Sequence, residues 1–107
     1  MLLREKDRIA LIEIFDSIAA PIEVWAYGSR VNGQAHSGSD LDLVVRTADL
    51  SPLDSDILAQ LLEKIEDSSI PILVELRDWA VLPPAFHKSI EARYEVLYST
   101  IPSLTSP

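Results

Sequence analysis

The sequence predicts an α/β (α+β) domain in which helices flank a small mixed sheet. Two segments, near residues 3–19 and 53–65, carry apolar residues at helical spacing. Shorter β-branched runs between and after them have the length and composition of strands. The order along the chain is α-β-(α)-β-α-β-α-β, and this alternation favours helices packed on a sheet.

The first helix is predicted over residues 3–19, where Leu11, Phe15 and Ile18 form an apolar stripe. Residues 22–27, with the sequence Ile-Glu-Val-Trp-Ala-Tyr, are β-branched and aromatic. That composition predicts the first strand, which a glycine ends.

A short helix is predicted from residue 29 to about residue 33, followed by a loop. Residues 41–45, Leu-Asp-Leu-Val-Val, form the second predicted strand. Because side chains alternate along a strand, Asp40 and Asp42 are expected on one face and the two leucines on the other.

The second half of the chain repeats the alternation. Residues 53–65 carry a continuous apolar stripe and form the clearest predicted helix. A third strand is predicted at 72–76, a last helix from Pro83-Pro84 to residue 92, and a short strand at 95–98. Residues 103–107 are expected to form a frayed tail of a single domain spanning 1–107.

Composition excludes several classes of function. The 107 residues include no cysteine, so disulfides, thiolate metal sites and thiol redox chemistry are excluded. No segment approaches the roughly 20 apolar residues of a membrane span, and the charged N-terminus is not that of a secretory signal. The net charge of −8 argues against extended nucleic-acid binding. We therefore expect a cytoplasmic protein with no membrane association.

Carboxylates give the first indication of chemistry. Asp40 and Asp42, two apart on a strand, repel each other unless a cation lies between them. Mg²⁺ suits such a pair, since it takes oxygen ligands and leaves positions open for phosphate. Two such ions can activate an attacking oxygen and hold a leaving pyrophosphate. Glu75, the lone charge between Val74 and Leu76, is a candidate third ligand and general base if its strand lies beside the first.

A second group of residues suits phosphate. Gly28 lets the backbone approach a ligand closely, and Ser29 offers a hydroxyl at the start of a helix. Arg30 can neutralise phosphate charge, and Ser39, directly before the carboxylates, completes the candidate nucleotide-binding set. Each feature alone is common, whereas their combination in this order is much more specific.

Gly28-Ser29, ten intervening residues and then Asp40-x-Asp42 resemble the signature of the DNA polymerase β-like nucleotidyltransferase superfamily. The small size resembles its minimal nucleotidyltransferase (MNT) group, and the likeness extends from about residue 22 to residue 98. Residues 74–80 are similar to the strand that carries the third carboxylate of that group, and residues 94–98 to its ending.

The resemblance implies transfer of AMP from ATP, with two Mg²⁺ ions held by Asp40, Asp42 and Glu75, and with Ser29 at the terminal phosphates. It also implies a partner. Many such chains accompany a helical HEPN-type ribonuclease toxin and act as its antitoxin by modifying a tyrosine. A homo- or hetero-oligomer is compatible with this interpretation.

Two positions depart from the family pattern. Asn32 stands where many relatives have a basic residue, and Glu75 replaces the usual aspartate. These departures keep open a second interpretation, a catalytically weak or inactive toxin-binding module of the same fold. A third, a transferase acting on a small molecule such as an aminoglycoside, is disfavoured because 107 residues leave no room for further substrate-binding structure.

Five other residues have side chains that can take a functional role. His36 is interpreted as a solvated loop residue, and His87 as a surface or packing residue of the last helix. Tyr27 and Trp79 are expected mainly to pack; the alternative for Tyr27, beside Gly28, is a position flanking a nucleotide. Asp78, three residues after Glu75, should face away from the site and serve the structure.

Overall fold

The computed structural model describes residues 1–33 and 40–101 and confirms the predicted fold class and element order. The helices are α1 (Glu5–Asp16), α2 (Ser29–Asn32), α3 (Ser55–Asp67) and α4 (Pro84–Ala92), and the strands are β1 (Ile22–Tyr27), β2 (Leu41–Thr47), β3 (Val74–Asp78) and β4 (Glu95–Ser99). A 3₁₀ turn, Trp79–Val81, follows β3. Within these ranges, no helix has the length and apolar character to cross a membrane.

The four strands form one mixed sheet in the order β3-β2-β1-β4. β1 pairs antiparallel with both β2 and β4. β2 and β3 are parallel, which requires a crossover connection, and α3 provides it. This connection brings β3 beside the strand that carries Asp42.

Alternation along the strands gives the sheet two different faces. One, the α1/α3 face, carries the larger core, in which Leu11, Phe15 and Leu61 of the helices pack on strand residues such as Leu43. The other, the α4 face, carries a smaller cluster made of Trp25, Tyr27, Val44, Trp79 and Ile90. Residues of β2 and β3 that alternate with those of the larger core therefore project from the α4 face.

Helix α3 begins at a side-chain cap that Asp54 provides. The Asp54 carboxylate accepts hydrogen bonds from the backbone N–H groups of Asp56 and Ile57, at 2.9 and 3.2 Å. Two N–H groups that the first helical turn leaves without partners are thereby satisfied. The negative charge at this end also interacts favourably with the helix dipole.

Helix α1 is shorter than predicted at both ends. Arg4 is extended, and the Leu2 N–H donates to the Arg30 carbonyl at 2.9 Å, so the first residues bond to α2 instead of extending α1. At the other end the Ser17 hydroxyl donates to the Ile14 carbonyl at 2.6 Å and closes the last turn. The ends of α1 are therefore set by a tertiary contact at one end and a local cap at the other, and not by the spacing of apolar residues.

Strand β3 lies two residues further along the chain than predicted. Its extent follows from parallel pairing with β2, which runs from the Leu41–Val74 pair to the Val45–Asp78 pair. Ile72 still packs against the larger core although it precedes the strand. An apolar run thus indicated burial correctly, whereas the strand boundaries depended on the neighbouring strand.

Asp78 ties the end of β3 to the start of α3, which confirms its predicted structural role. The carboxylate is buried and accepts hydrogen bonds from the N–H groups of Leu53 and Ala80, at 2.9 and 3.1 Å. Because Asp78→Ala leaves both donors without partners, we expect it to lower the free energy of unfolding by about 2–3 kcal/mol. Urea unfolding followed by tryptophan fluorescence measures this loss. The exposed Asp67→Ala variant is the control, expected within about 0.5 kcal/mol of the wild type; equal losses in both variants would contradict the assignment.

Candidate active site

The end of β1 makes an unusually close approach to Asp42. Gly28 has φ 79° and ψ −156°, a conformation that residues with a side chain rarely adopt. A Cβ atom at this position would lie 2.5 Å from the Asp42 carboxylate oxygen Oδ2. Glycine is therefore required for the backbone to pass this carboxylate and begin α2.

Three side chains line up across neighbouring strands beside that approach. Asp42 of β2 is in register with Tyr27 of β1 on one side and with Glu75 of β3 on the other. Along its strand, each of the three is next to a residue of the larger core and so points the other way. All three therefore share the α4 face. The sequence made Glu75 a candidate third ligand only if its strand lies beside that of Asp42, and the structure places the two strands side by side. Asp40 is exposed and lies directly before β2.

Arg77 occupies the space between these groups. Its guanidinium donates to Oε2 of Glu75 at 2.8 Å and to the Tyr27 hydroxyl at 2.9 Å. A longer ion pair of 3.7 Å joins it to Oδ1 of Asp42. Sequence reasoning gave Arg77 no role, although its position two residues after Glu75 put both side chains on the same face of the strand.

The charges in this group act on one another. Burial, followed by the negative charge of Glu75, raises the pKa of the Asp42 carboxyl; Arg77 opposes this rise and Asp40 adds to it. Burial likewise raises the pKa of Tyr27, against the hydrogen bond from Arg77. The hydrogen bond to Tyr27 is the largest cause of the raised pKa of Arg77, which stays charged.

The donor set of this site suits a divalent cation. Two carboxylates on adjacent strands supply hard oxygen ligands, and the side-chain-free Gly28 leaves open the volume beside Oδ2 of Asp42 that a Cβ would fill. Across residues 1–33 and 40–101, no three His, Cys, Asp or Glu side chains lie close enough to hold a metal ion between them. Metal binding by Asp40, Asp42 and Glu75 therefore stays a prediction.

The candidate nucleotide-binding residues are placed differently from one another. Ser29 begins α2 directly after Gly28, next to the carboxylates. The Arg30 side chain is buried, and its Nη1 donates to the Leu2 carbonyl at 2.6 Å, towards the N-terminal segment. Ser39 lies outside the described residues, as does His36. Nucleotide contacts of the set stay predictions.

The other aromatic and histidine residues on this face pack, as expected. Trp79 is buried, and the His87 ring stacks on it at 3.9 Å, with its Nε2 at 2.7 Å from the Trp79 carbonyl. Trp25 meets Trp79 edge to face, at 5.5 Å between ring centroids. This cluster supports the sheet beneath the site and holds α4 against it.

The Gly-Ser turn, the strand-borne carboxylates and the mixed sheet together define a nucleotidyltransferase. Residues 9–102 match the family described as Polymerase beta, Nucleotidyltransferase, and the chain belongs to that family. It is 32% identical over 104 residues to the probable protein adenylyltransferase MntA of Haemophilus influenzae, covering 96% of this chain and 90% of that protein. The similarity to the minimal nucleotidyltransferase group is thereby confirmed.

A solved structure shares the fold. It is the crystal structure of a toxin-antitoxin with AMP-PNP, with a TM-score of 0.68 and 23% sequence identity. The match covers 88% of this chain and 74% of that one. At this level of identity the similarity extends to the fold alone.

Proposed function

We propose that this protein transfers AMP from ATP to a tyrosine hydroxyl of an HEPN-type helical toxin and acts as its antitoxin in the cytoplasm. The observation that carries the proposal is the register of Asp42 with Glu75, beside the close approach of Gly28. Those carboxylates lie at the sheet edge where α2 begins with Ser29. The arrangement provides adjacent positions for a metal–triphosphate and an attacking hydroxyl.

Each residue has a defined task in this proposal. Asp42 and Glu75, with Asp40, would hold two Mg²⁺ ions, which neutralise phosphate charge and lower the pKa of the attacking hydroxyl. Ser29 offers its hydroxyl to the terminal phosphates. Catalysis then depends mainly on positioning and charge neutralisation, because phosphoryl transfer asks little covalent chemistry of the protein.

The reaction is an in-line displacement. The acceptor oxygen forms a bond to the α-phosphorus while the bond from that phosphorus to the oxygen bridging the β-phosphate breaks. Pyrophosphate leaves with the electron pair. The hydroxyl proton passes to the Glu75 carboxylate, which also accepts a hydrogen bond from Arg77 through Oε2.

The relatives and the surface support a protein acceptor. The MntA relative is described as a probable protein adenylyltransferase, and the structural neighbour as a toxin-antitoxin. Beside the carboxylates, Phe86 of α4 is 36% exposed and meets Tyr27 edge to face at 6.0 Å. An aromatic side chain at that position gives an incoming tyrosine ring a surface to stack on. The net charge of −8 also suits a basic partner.

The test is transfer of labelled AMP from ATP with Mg²⁺ to a co-purified helical partner. We expect the partner to gain the mass of one AMP per modified site, and peptide mass spectrometry to place it on a tyrosine. The Asp40→Asn/Asp42→Asn double variant is the negative control. Glu66→Gln/Asp67→Asn, at two exposed residues that end α3, is the matched control because it also removes two negative charges.

The two remaining interpretations predict other results. A complex that forms tightly without AMP transfer supports the toxin-binding module and overturns the enzymatic proposal. Transfer to a small molecule with none to the partner supports the third interpretation. Transfer at an unchanged rate in the double variant would show that these carboxylates are not the catalytic ones.

A further inference from the structure

Arg77 sits inside the carboxylate group that the proposed function assigns to metal. Its guanidinium reaches both members of the in-register pair, Glu75 at 2.8 Å and Asp42 at 3.7 Å. The side chain is 39% exposed and is held by several contacts. A third contact, to the Tyr27 hydroxyl at 2.9 Å, anchors it, and its charged end lies 5.9 Å from the centre of the Phe86 ring.

Charge balance explains why a cation is needed there. Backbone pairing holds Asp42 and Glu75 in register on adjacent strands, so their carboxylates are neighbours, and the charge of Glu75 acts against ionisation of Asp42. A guanidinium is always charged and offers several donors in a fixed plane, so it suits two carboxylates at once. In the metal-free protein, Arg77 supplies the positive charge that this pair requires.

We infer that Arg77 is the resident counter-cation of the Asp42–Glu75 pair, and that it makes divalent metal binding depend on a nucleoside triphosphate. The inference rests on the proposed function, since it concerns the same site. Arg77 stabilises the carboxylates without metal and repels a metal ion that arrives alone. A triphosphate brings several negative charges of its own, which offset that repulsion.

Arg77 therefore acts as a positioning residue with two effects on binding. A free divalent ion competes with a cation that is already bonded to Glu75 and held in place by Tyr27. A metal–nucleotide complex meets less resistance, because its phosphates attract the guanidinium. The site would then load metal and nucleotide together rather than metal first.

The test measures Mn²⁺ binding to the metal-free protein by calorimetry, which requires no activity. We expect Arg77→Gln to bind Mn²⁺ about tenfold more tightly than the wild type, because a positive charge close to the ion is removed. Arg77→Lys keeps the charge and should stay within about threefold of the wild type. Arg8→Gln, an exposed change of the same charge on α1, should bind Mn²⁺ as the wild type does.

A second titration measures the dependence on nucleotide. Mn²⁺ binding is repeated with a saturating non-hydrolysable ATP analogue, and we expect the analogue to improve the affinity of the wild type for Mn²⁺ more than that of Arg77→Gln. Arg77→Met, which keeps an aliphatic stem beside Phe86, provides a second neutral variant. Melting curves establish that each variant is folded before titration.

Each outcome decides the inference. Unchanged or weaker Mn²⁺ binding in both neutral variants overturns it and makes Arg77 a clamp that orients Glu75. Tighter binding in Arg77→Lys as well would assign the effect to geometry instead of charge, which also overturns it. The proposed function fails separately, if Mn²⁺ with ATP binds the wild type and no AMP reaches the partner.

Discussion

Asp42→Asn is expected to lower the rate of AMP transfer by at least about a thousandfold, without lowering the melting temperature of the metal-free protein. Asp42 is the central carboxylate of the site, in register with Tyr27 and Glu75. An amide loses the negative charge with which the carboxylate would hold a divalent ion, and such an ion contributes several kcal/mol to stabilisation of the transition state. At 1.36 kcal/mol for each factor of ten, that loss is about three orders of magnitude.

Asp42→Asn is expected to lower the rate of transfer but to raise the stability of the metal-free fold. Because burial and Glu75 raise the pKa of Asp42, its ionised form is less favourable in the folded chain than in the unfolded one. The stability contributed by the protonated form is fully present below the unfolded value of about 3.9 and is lost as pH rises through the raised pKa. At neutral pH the carboxylate therefore destabilises the fold, and an amide removes this cost.

Two measurements check the prediction together. Transfer of labelled AMP gives the rate, and thermal unfolding of the metal-free protein across a pH series gives the stability difference. That difference should favour Asp42→Asn at neutral pH, shrink as the pH falls through the raised pKa of Asp42, and vanish below about pH 4, where both proteins carry a neutral side chain. Glu63→Gln, exposed in the middle of α3, is the control for a lost surface charge. A large drop in melting temperature would make Asp42 structural.

Local sequence patterns predicted what local physics determines. Apolar spacing gave α3 to within two residues at each end, and β-branched composition gave β1. Alternation alone placed Asp42 opposite the core positions of β2. In each case the information lies within one element, so no knowledge of the tertiary structure was needed.

Features that depend on pairing between elements were not predicted. The role of Arg77 requires the parallel register of β2 with β3, which brings it within reach of Asp42. The Arg30 side chain donates to the Leu2 carbonyl, a contact set by how the N-terminal segment crosses α2, while its contact with phosphate stays a prediction. The shift of β3 has the same origin. Long-range contacts carry these details, and a single sequence does not display them.

From the sequence, Gly28 was expected to let the backbone approach a phosphate. The structure shows a stronger requirement for glycine at this position, namely its backbone conformation and its closeness to Asp42. We expect Gly28→Ala to lower the free energy of unfolding by about 3 kcal/mol or more, because φ 79° with ψ −156° is strained for alanine. The new methyl group would also lie 2.5 Å from Oδ2 of Asp42. Displacing that carboxylate by about 1 Å should reduce AMP transfer about a hundredfold in molecules that still fold.

Gly33→Ala is the matched control, since Gly33 also has a positive φ, of 84°. Its ψ of 5° lies in the left-handed helical region, and within the described part of the chain no atom lies within 4 Å of an added Cβ. This variant should lose only about 1 kcal/mol and keep its activity. Urea unfolding and AMP transfer, measured on both variants, separate backbone strain from collision with Asp42. Equal effects of the two substitutions would mean that strain alone is responsible, and that Asp42 has room to move without loss of function.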